Sequence, residues 1–186
     1  RYGYCDRCPD PDKCPPCIYG GQQPMESIDL SRRPAPYRFG WSASSRIHYL
    51  ASIGDPPEHR DYISGRVEAL SPGVEIGDHC TISAFVTIDR GIVEPTRIGE
   101  RCLLMKGVHV AHDCQVGDGV EIGANAVLCG HVTVGEGARI SGLAFVRPFI
   151  TIGAGARIGG GAVVVKDVPA GETWAGCPAR PLKKAA

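Results

Sequence analysis

From residue 98 onward an aliphatic side chain returns at every sixth position: Ile98, Leu104, Val110, Val116, Ile122, Leu128, Val134, Ile140, Val146, Ile152, Ile158 and Val164. These twelve positions follow one another without a single insertion. Two residues before each stands a second small or apolar side chain, from Thr96, Cys102, Val108 and Cys114 through to Ala156 and Ala162. In an extended segment residues i and i−2 share a face, so both members of each pair point inward. Glycine follows the aliphatic at positions 99, 117, 123, 135, 153 and 159. There it takes the chain past a corner where a Cβ would clash. Short strand, turn, short strand, repeated at this period, predicts an all-β chain wound as a parallel β-helix. Three hexads close a triangular coil of 18 residues, and each coil stacks on the next as in other solenoids.

Composition agrees with that frame. Apolar residues make 43% of the chain but aromatics only 6%, so the core is built from branched aliphatics and small residues. Acidic and basic residues balance at 20 each, without the basic surplus expected of a nucleic-acid binder. No apolar run approaches the roughly 18 residues of a membrane span, and the first residues lack the basic-then-apolar order of a secretory leader. The nine cysteines are odd in number and show no disulfide framework, so a reducing cytoplasm is the expected location.

The chain divides into a Cys-rich segment (1–24), a short lead-in (25–46), the repeat domain (47–170) and a tail (171–186). In the first segment Cys5, Cys8, Cys14 and Cys17 form paired C-x2-C knuckles, a spacing suited to a structural zinc; a segment without order is the other reading. Cys80, Cys102 and Cys114 fall on inward positions and read as core side chains. The hexad register extends upstream through Ile47, Ile53, Ile76, Ile82 and Ile88, with two gaps. Ile53 to Ile76 is 23 residues and Ile88 to Ile98 is 10, so two loops leave the scaffold, and such loops are where binding residues concentrate. The longer, Asp55–Gly73, is the better candidate for binding.

The chemistry gathers in two successive coils. His109 lies between inward Val108 and Val110 and so points outward. Asp113 and His131 are 18 residues apart, which puts them in one column, and His112 stacks beneath Gly130. A carboxylate beside a histidine fixes its tautomer and raises its basicity, as a general base requires. An exposed glycine N–H suits a developing oxyanion.

The stretches LASIG (50–54), VEIGD (74–78), VTIDRG (86–91), LLMKGVHVAHDCQVG (103–117), AVLCGHVTVG (126–135) and VVVKDVP (163–169) resemble the cytoplasmic UDP-N-acetylglucosamine acyltransferases of lipid A synthesis. The resemblance covers roughly residues 47–170, and it is most specific in H-x-A-H-D-C followed by G-H. It implies a left-handed coil, a hand that the period does not supply. It also implies His112 as general base, Asp113 as its orienting carboxylate, Gly130 as the oxyanion donor, and His109 and His131 as substrate contacts. Gly160 falls where that family measures its acyl chain. Implied with these are a homotrimer, a sugar-nucleotide acceptor, an acyl carrier protein donor and no catalytic cofactor.

Three places depart from the family pattern. His59 and Asp61 stand where an acidic residue and a lysine touch the sugar nucleotide, and Pro148 replaces a glutamine. After the repeats, WAGCPARPLKK (174–184) resembles the ending of acetyl-CoA-dependent sugar acetyltransferases, not a helical domain. Gamma-class carbonic anhydrases use a similar repeat to hold zinc, but Gly117 stands where they carry a second histidine. The expectation is therefore an acyltransferase using a thioester donor, carrier protein or CoA, on a nucleotide sugar. A catalytically silent assembly scaffold is the alternative from another class.

Overall fold

The computed structural model describes residues 39–41, 44–55 and 72–182. Its strands fall into three sheets, and up to Val164 strands three apart in the chain pair in parallel. Sheet A contains Phe39–Trp41, Val74–Ile76, Thr96–Ile98, Gln115–Val116, Thr133–Val134 and Thr151–Ile152. Sheet B begins with Arg46–Ile47 and Thr81–Ile82 and runs through Arg157–Ile158, and sheet C runs from Ser52–Asp55 to Val163–Val164. Six coils result. The architecture is the left-handed parallel β-helix expected, with no helix among the described residues.

Register between coils is the 18-residue step read from the sequence: Gln115 pairs with Thr133, Glu121 with Arg139 and Val127 with Phe145. The strands are two to four residues long, and in the regular coils the second residue is the buried one. Leu104, Ile122, Leu128 and Ile152 are fully buried and form a column of aliphatics down the axis. Cys80, Cys102 and Cys114 lie in that core, as expected from their inward positions. At the far end Thr173–Ala175 extends sheet B in parallel and Arg180–Pro181 returns antiparallel against it.

The glycine beside each aliphatic stands where a Cβ would clash, as its corner position suggested. A Cβ on Gly123 would stand 2.3 Å from the Gly142 backbone nitrogen, so the clash is with the next coil rather than within the turn. The positive φ falls two residues later, at a slot that recurs every six residues. Gly107, Gly119, Gly137, Gly155 and Gly161 occupy it, but so do Asp113, Asn125, His131, Leu143 and Phe149.

Gly123→Ala is expected to destabilise the fold by about 1–3 kcal/mol, because only backbone stands in the way. Gly119→Asn, in the left-handed slot with open space around it, should change stability by less than about 1 kcal/mol. Urea denaturation of both variants checks the distinction.

Candidate active site

The three edges of the prism are not equivalent. The edge joining sheet C to sheet A carries both excursions: residues 56–71 between Asp55 and the strand at Val74, and 90–95 between Asp89 and Thr96. Their roots are tied together, since the Gly73 carbonyl accepts the N–H groups of Gly91 and Thr96 at 3.1 and 3.2 Å. The next coils along this edge bring His112 and Asp113, then Gly130 and His131, then Pro148 and Phe149.

Asp113 is the centre of the arrangement. It is 4% exposed and accepts the N–H groups of Ile92 (3.1 Å to each oxygen), Val93 (2.8 Å) and Glu94 (2.7 Å). The short excursion thus folds its backbone around one carboxylate. Its start admits only glycine, because a Cβ on Gly91 would lie 1.6 Å from the Glu94 carbonyl oxygen. The Asp113 N–H in turn donates to buried Thr96 Oγ1 at 2.9 Å. Burial pushes the Asp113 carboxyl up, but the N–H groups of Glu94, Val93 and Ile92 and the His112 ring favour the anion. The balance holds it below the ordinary carboxylate value.

Asp113 Oδ2, which also accepts from the Ile92 N–H, meets His112 Nδ1 at 2.7 Å. An ionised carboxylate only accepts, so Nδ1 carries a proton, and in the neutral ring Nε2 then keeps its lone pair. The ring lies against Gly130: a Cβ there would stand 2.6 Å from Cε1 and 2.7 Å from Nε2. Gly130, expected to be exposed, is instead buried against this ring, and among the described residues its N–H has no hydrogen-bond partner. His131 meets His112 edge-on, ring centroids 5.2 Å apart at 88°, with its Nε2 3.8 Å from Asp113 Oδ2. On sheet C, outward as expected, His109 Nδ1 lies 2.8 Å from Thr87 Oγ1, and its Nε2 is 3.9 Å from Asp89 Oδ2.

The structure therefore brings together His112, Asp113, Gly130 and His131, with His109 on the adjoining face. Gly160 it does not bring in: this residue is exposed on the edge between sheets B and C. His59 and Asp61, and the zinc candidates Cys5, Cys8, Cys14 and Cys17, lie outside the described residues. Of the two excursions, the shorter one is seen to hold the carboxylate. Its N–H cradle and Thr96 are the contributions that residue-type reasoning missed; the four extra residues between Ile88 and Ile98 were the available signal. Nearby Cys114 is pushed up to about 12 by burial, and burial also raises Cys129, so neither thiol is poised as a nucleophile.

The ligand atoms of His112, Asp113 and His131 all fall within 4.8 Å of one another, a spread one metal ion would tolerate. The carboxylate already accepts from three backbone N–H groups and an imidazole, against about four lone-pair sites. That donor set fits an oriented base better than a metal ligand. A groove of about 540 Å³ opens elsewhere, on the outer side of sheet A. Its only ionisable lining residues, Glu75 and Arg97, pair with each other at 2.7 Å, so the chemistry lies with the histidines.

Comparison with known proteins places these features in context. The bacterial transferase hexapeptide (six repeats) family matches residues 95–130, and the hexapeptide repeat of succinyl-transferase matches 64–90. The acyl-[acyl-carrier-protein]–UDP-N-acetylglucosamine O-acyltransferase of Campylobacter concisus is 39% identical over 92 residues, 48% of this chain and 34% of that protein. Among solved structures, the UDP-N-acetylglucosamine O-acyltransferase of Moraxella catarrhalis is 37% identical with a TM-score of 0.69, covering 74% of this chain and 53% of that one. The perosamine N-acetyltransferase of Caulobacter crescentus, solved with CoA and GDP-perosamine, is 30% identical with a TM-score of 0.63, covering 78% and 59%. The chain spans about a third of the length of the curated relative and just over half of the two solved chains. It is a hexapeptide-repeat chain resembling the UDP-N-acetylglucosamine acyltransferases.

A group whose folded-state pKa is depressed stabilises the fold above its unfolded value and loses that contribution as pH falls. The stability gap between the wild type and Asp113→Asn should therefore be full at neutral pH and shrink below about pH 4, the ordinary carboxylate range. Urea denaturation across pH checks this. The asparagine oxygen should stay in the cradle and turn its NH2 toward His112 Nδ1, moving the imidazole proton to Nε2, a change that 15N NMR reads directly.

Proposed function

We propose that the chain is an acyltransferase carrying an acyl group from a thioester to a hydroxyl or amine of a nucleotide sugar. The observation behind this reading is the His112–Asp113 pair, locked by three backbone N–H groups and covered by Gly130. His112 Nε2 removes the acceptor proton as the oxygen or nitrogen attacks the thioester carbonyl. The Gly130 N–H supports the negative charge on the carbonyl oxygen. Collapse of the tetrahedral intermediate breaks the carbon–sulfur bond, and the leaving thiolate takes the proton back from the His112 imidazolium. His131 and His109 contact the acceptor.

The donor is an acyl carrier protein thioester in the reading favoured by the acyltransferase relatives. Acetyl-CoA is the second reading, supported by the likeness to the perosamine enzyme and by the 174–184 tail. Gly160 and His112 lie on different prism edges of one chain. If both serve one site, as the family resemblance implies, the site is completed between copies in a trimer. Along the sequence, no helix among the described residues is long and apolar enough to cross a membrane.

A mass-spectrometric assay crossing UDP-sugars with acetyl-CoA and carrier-protein thioesters of graded length tests the proposal. The wild type should transfer from one donor class, and His112→Ala should lose about 10²–10⁴-fold in rate with the fold intact. Full activity in His112→Ala would overturn the assignment. Gly160→Met should shorten the longest acyl chain accepted: a Cβ at 160 meets only the Gly142 carbonyl oxygen, at 3.5 Å, so the variant folds. An unchanged chain-length profile would remove Gly160 from the site.

A further inference from the structure

Phe149 has two properties that folding alone does not favour. Its φ is +62°, in the left-handed region that a bulky side chain rarely adopts, and its side chain is 72% exposed. Backbone strain of this kind persists where surrounding structure or function requires it. Phe85 and Leu143 share both properties, but they stand on the edge between sheets B and C. Phe149 is set apart by what its ring touches. It stacks on the imidazole of His131, ring centroids 4.6 Å apart and planes 7° from parallel.

That contact has few rivals. Among the described residues the His131 ring has no hydrogen-bond partner, and its charged neighbour there is Asp113 Oδ2 at 3.8 Å. The side chain is one-third exposed, so packing encloses it only in part. The three residues rise in one column: the Phe149 N–H donates to the Gly130 carbonyl at 3.2 Å, and the His131 N–H to the His112 carbonyl at 3.1 Å. The shared left-handed slot aims the Asp113, His131 and Phe149 side chains the same way, coil over coil. His112, His131 and Phe149 therefore form a ladder of rings, edge-to-face at the first step and parallel at the second.

We propose that Phe149 is a positioning residue, whose ring holds the His131 imidazole at a fixed angle to the His112–Asp113 pair so that it meets the acceptor in one orientation. The role of His131 rests on the acyl-transfer reading above. The clamping of the ring by Phe149 does not.

The test compares Phe149→Gly and Phe149→Tyr with the wild type. Glycine removes the stack and also relieves the left-handed strain, so the melting temperature should hold or rise. Catalysis should move the other way. With the acceptor varied, kcat/KM should fall about 3- to 10-fold, the loss expected for one aromatic pair, while the donor KM stays constant. Tyrosine, which keeps the ring, should restore both the stack and the rate. In 15N- and 13C-resolved NMR the His131 ring signals should lose their upfield ring-current shift and broaden in Phe149→Gly, and recover in Phe149→Tyr. A fall in melting temperature or loss of assembly with unchanged kcat/KM would mark Phe149 as merely structural and overturn the proposal. So would His131 signals identical in wild type and Phe149→Gly. If the wild type itself transfers to no acceptor, the acyl-transfer reading fails on its own, and the NMR comparison still decides whether Phe149 fixes the ring.

Discussion

Each coil presents its neighbour with a row of backbone hydrogen bonds, and the spacing of that row dictates everything else in the molecule. Thr133 N–H to the Ile150 carbonyl, Arg139 to Ala156 and Phe145 to Ala162 repeat the same step on three faces. Because strands are so short, no single sheet face would be stable alone. Stability comes from stacking, with the aliphatic column inside and close backbone approach at the corners. Glycine is required where that approach leaves no room for a Cβ, as at Gly123 beneath Gly142. Side chains in one slot of successive coils are consequently aligned by the backbone itself, at no further conformational cost.

The candidate site exploits this alignment and adds one irregular element. A regular edge would leave the Asp113 carboxylate facing solvent, free to rotate and able to spread its hydrogen bonds over water. The 90–95 excursion replaces that water with fixed N–H dipoles. They hold the anion while leaving Oδ2 directed at His112. Preorganisation of this sort means that the imidazole's tautomer is chosen before any substrate arrives. The same environment makes the cluster a poor cation site, since the carboxylate has little electron density left to share.

Among the described residues the period of six made the coil legible in all but its hand, because in a solenoid the register between coils is the sequence spacing itself. It also placed His112 against Gly130 and Asp113 in line with His131, as the structure shows. What the period could not convey lies off the repeat. The N–H cradle is made by backbone, so the identities of Ile92, Val93 and Glu94 carried no sign of it. Length alone, the excess between Ile88 and Ile98, was the trace. The clash expected at the corner glycines is there, but its partner was not legible, because it stands 19 positions onward, as Gly142 does from Gly123. The left-handed slot, filled by residues as unlike as Gly107, Asp113 and Phe149, has no compositional signature. Gly160, finally, sits a hexad out of phase with the histidine edge, on the edge between sheets B and C.

Both excursions depart from one edge, and their roots meet at the Gly73 carbonyl. Above that point the coils resume in phase, Thr96–Ile98 pairing with Val74–Ile76 as though nothing had intervened. Extra length inserted at this edge is therefore invisible to the rest of the stack. A lineage carrying this scaffold can change the length of chain between Asp55 and Val74 without renegotiating the core. The shorter excursion lacks that freedom, because the His112–Asp113 pair keeps its place only while the 92–94 N–H groups hold the carboxylate.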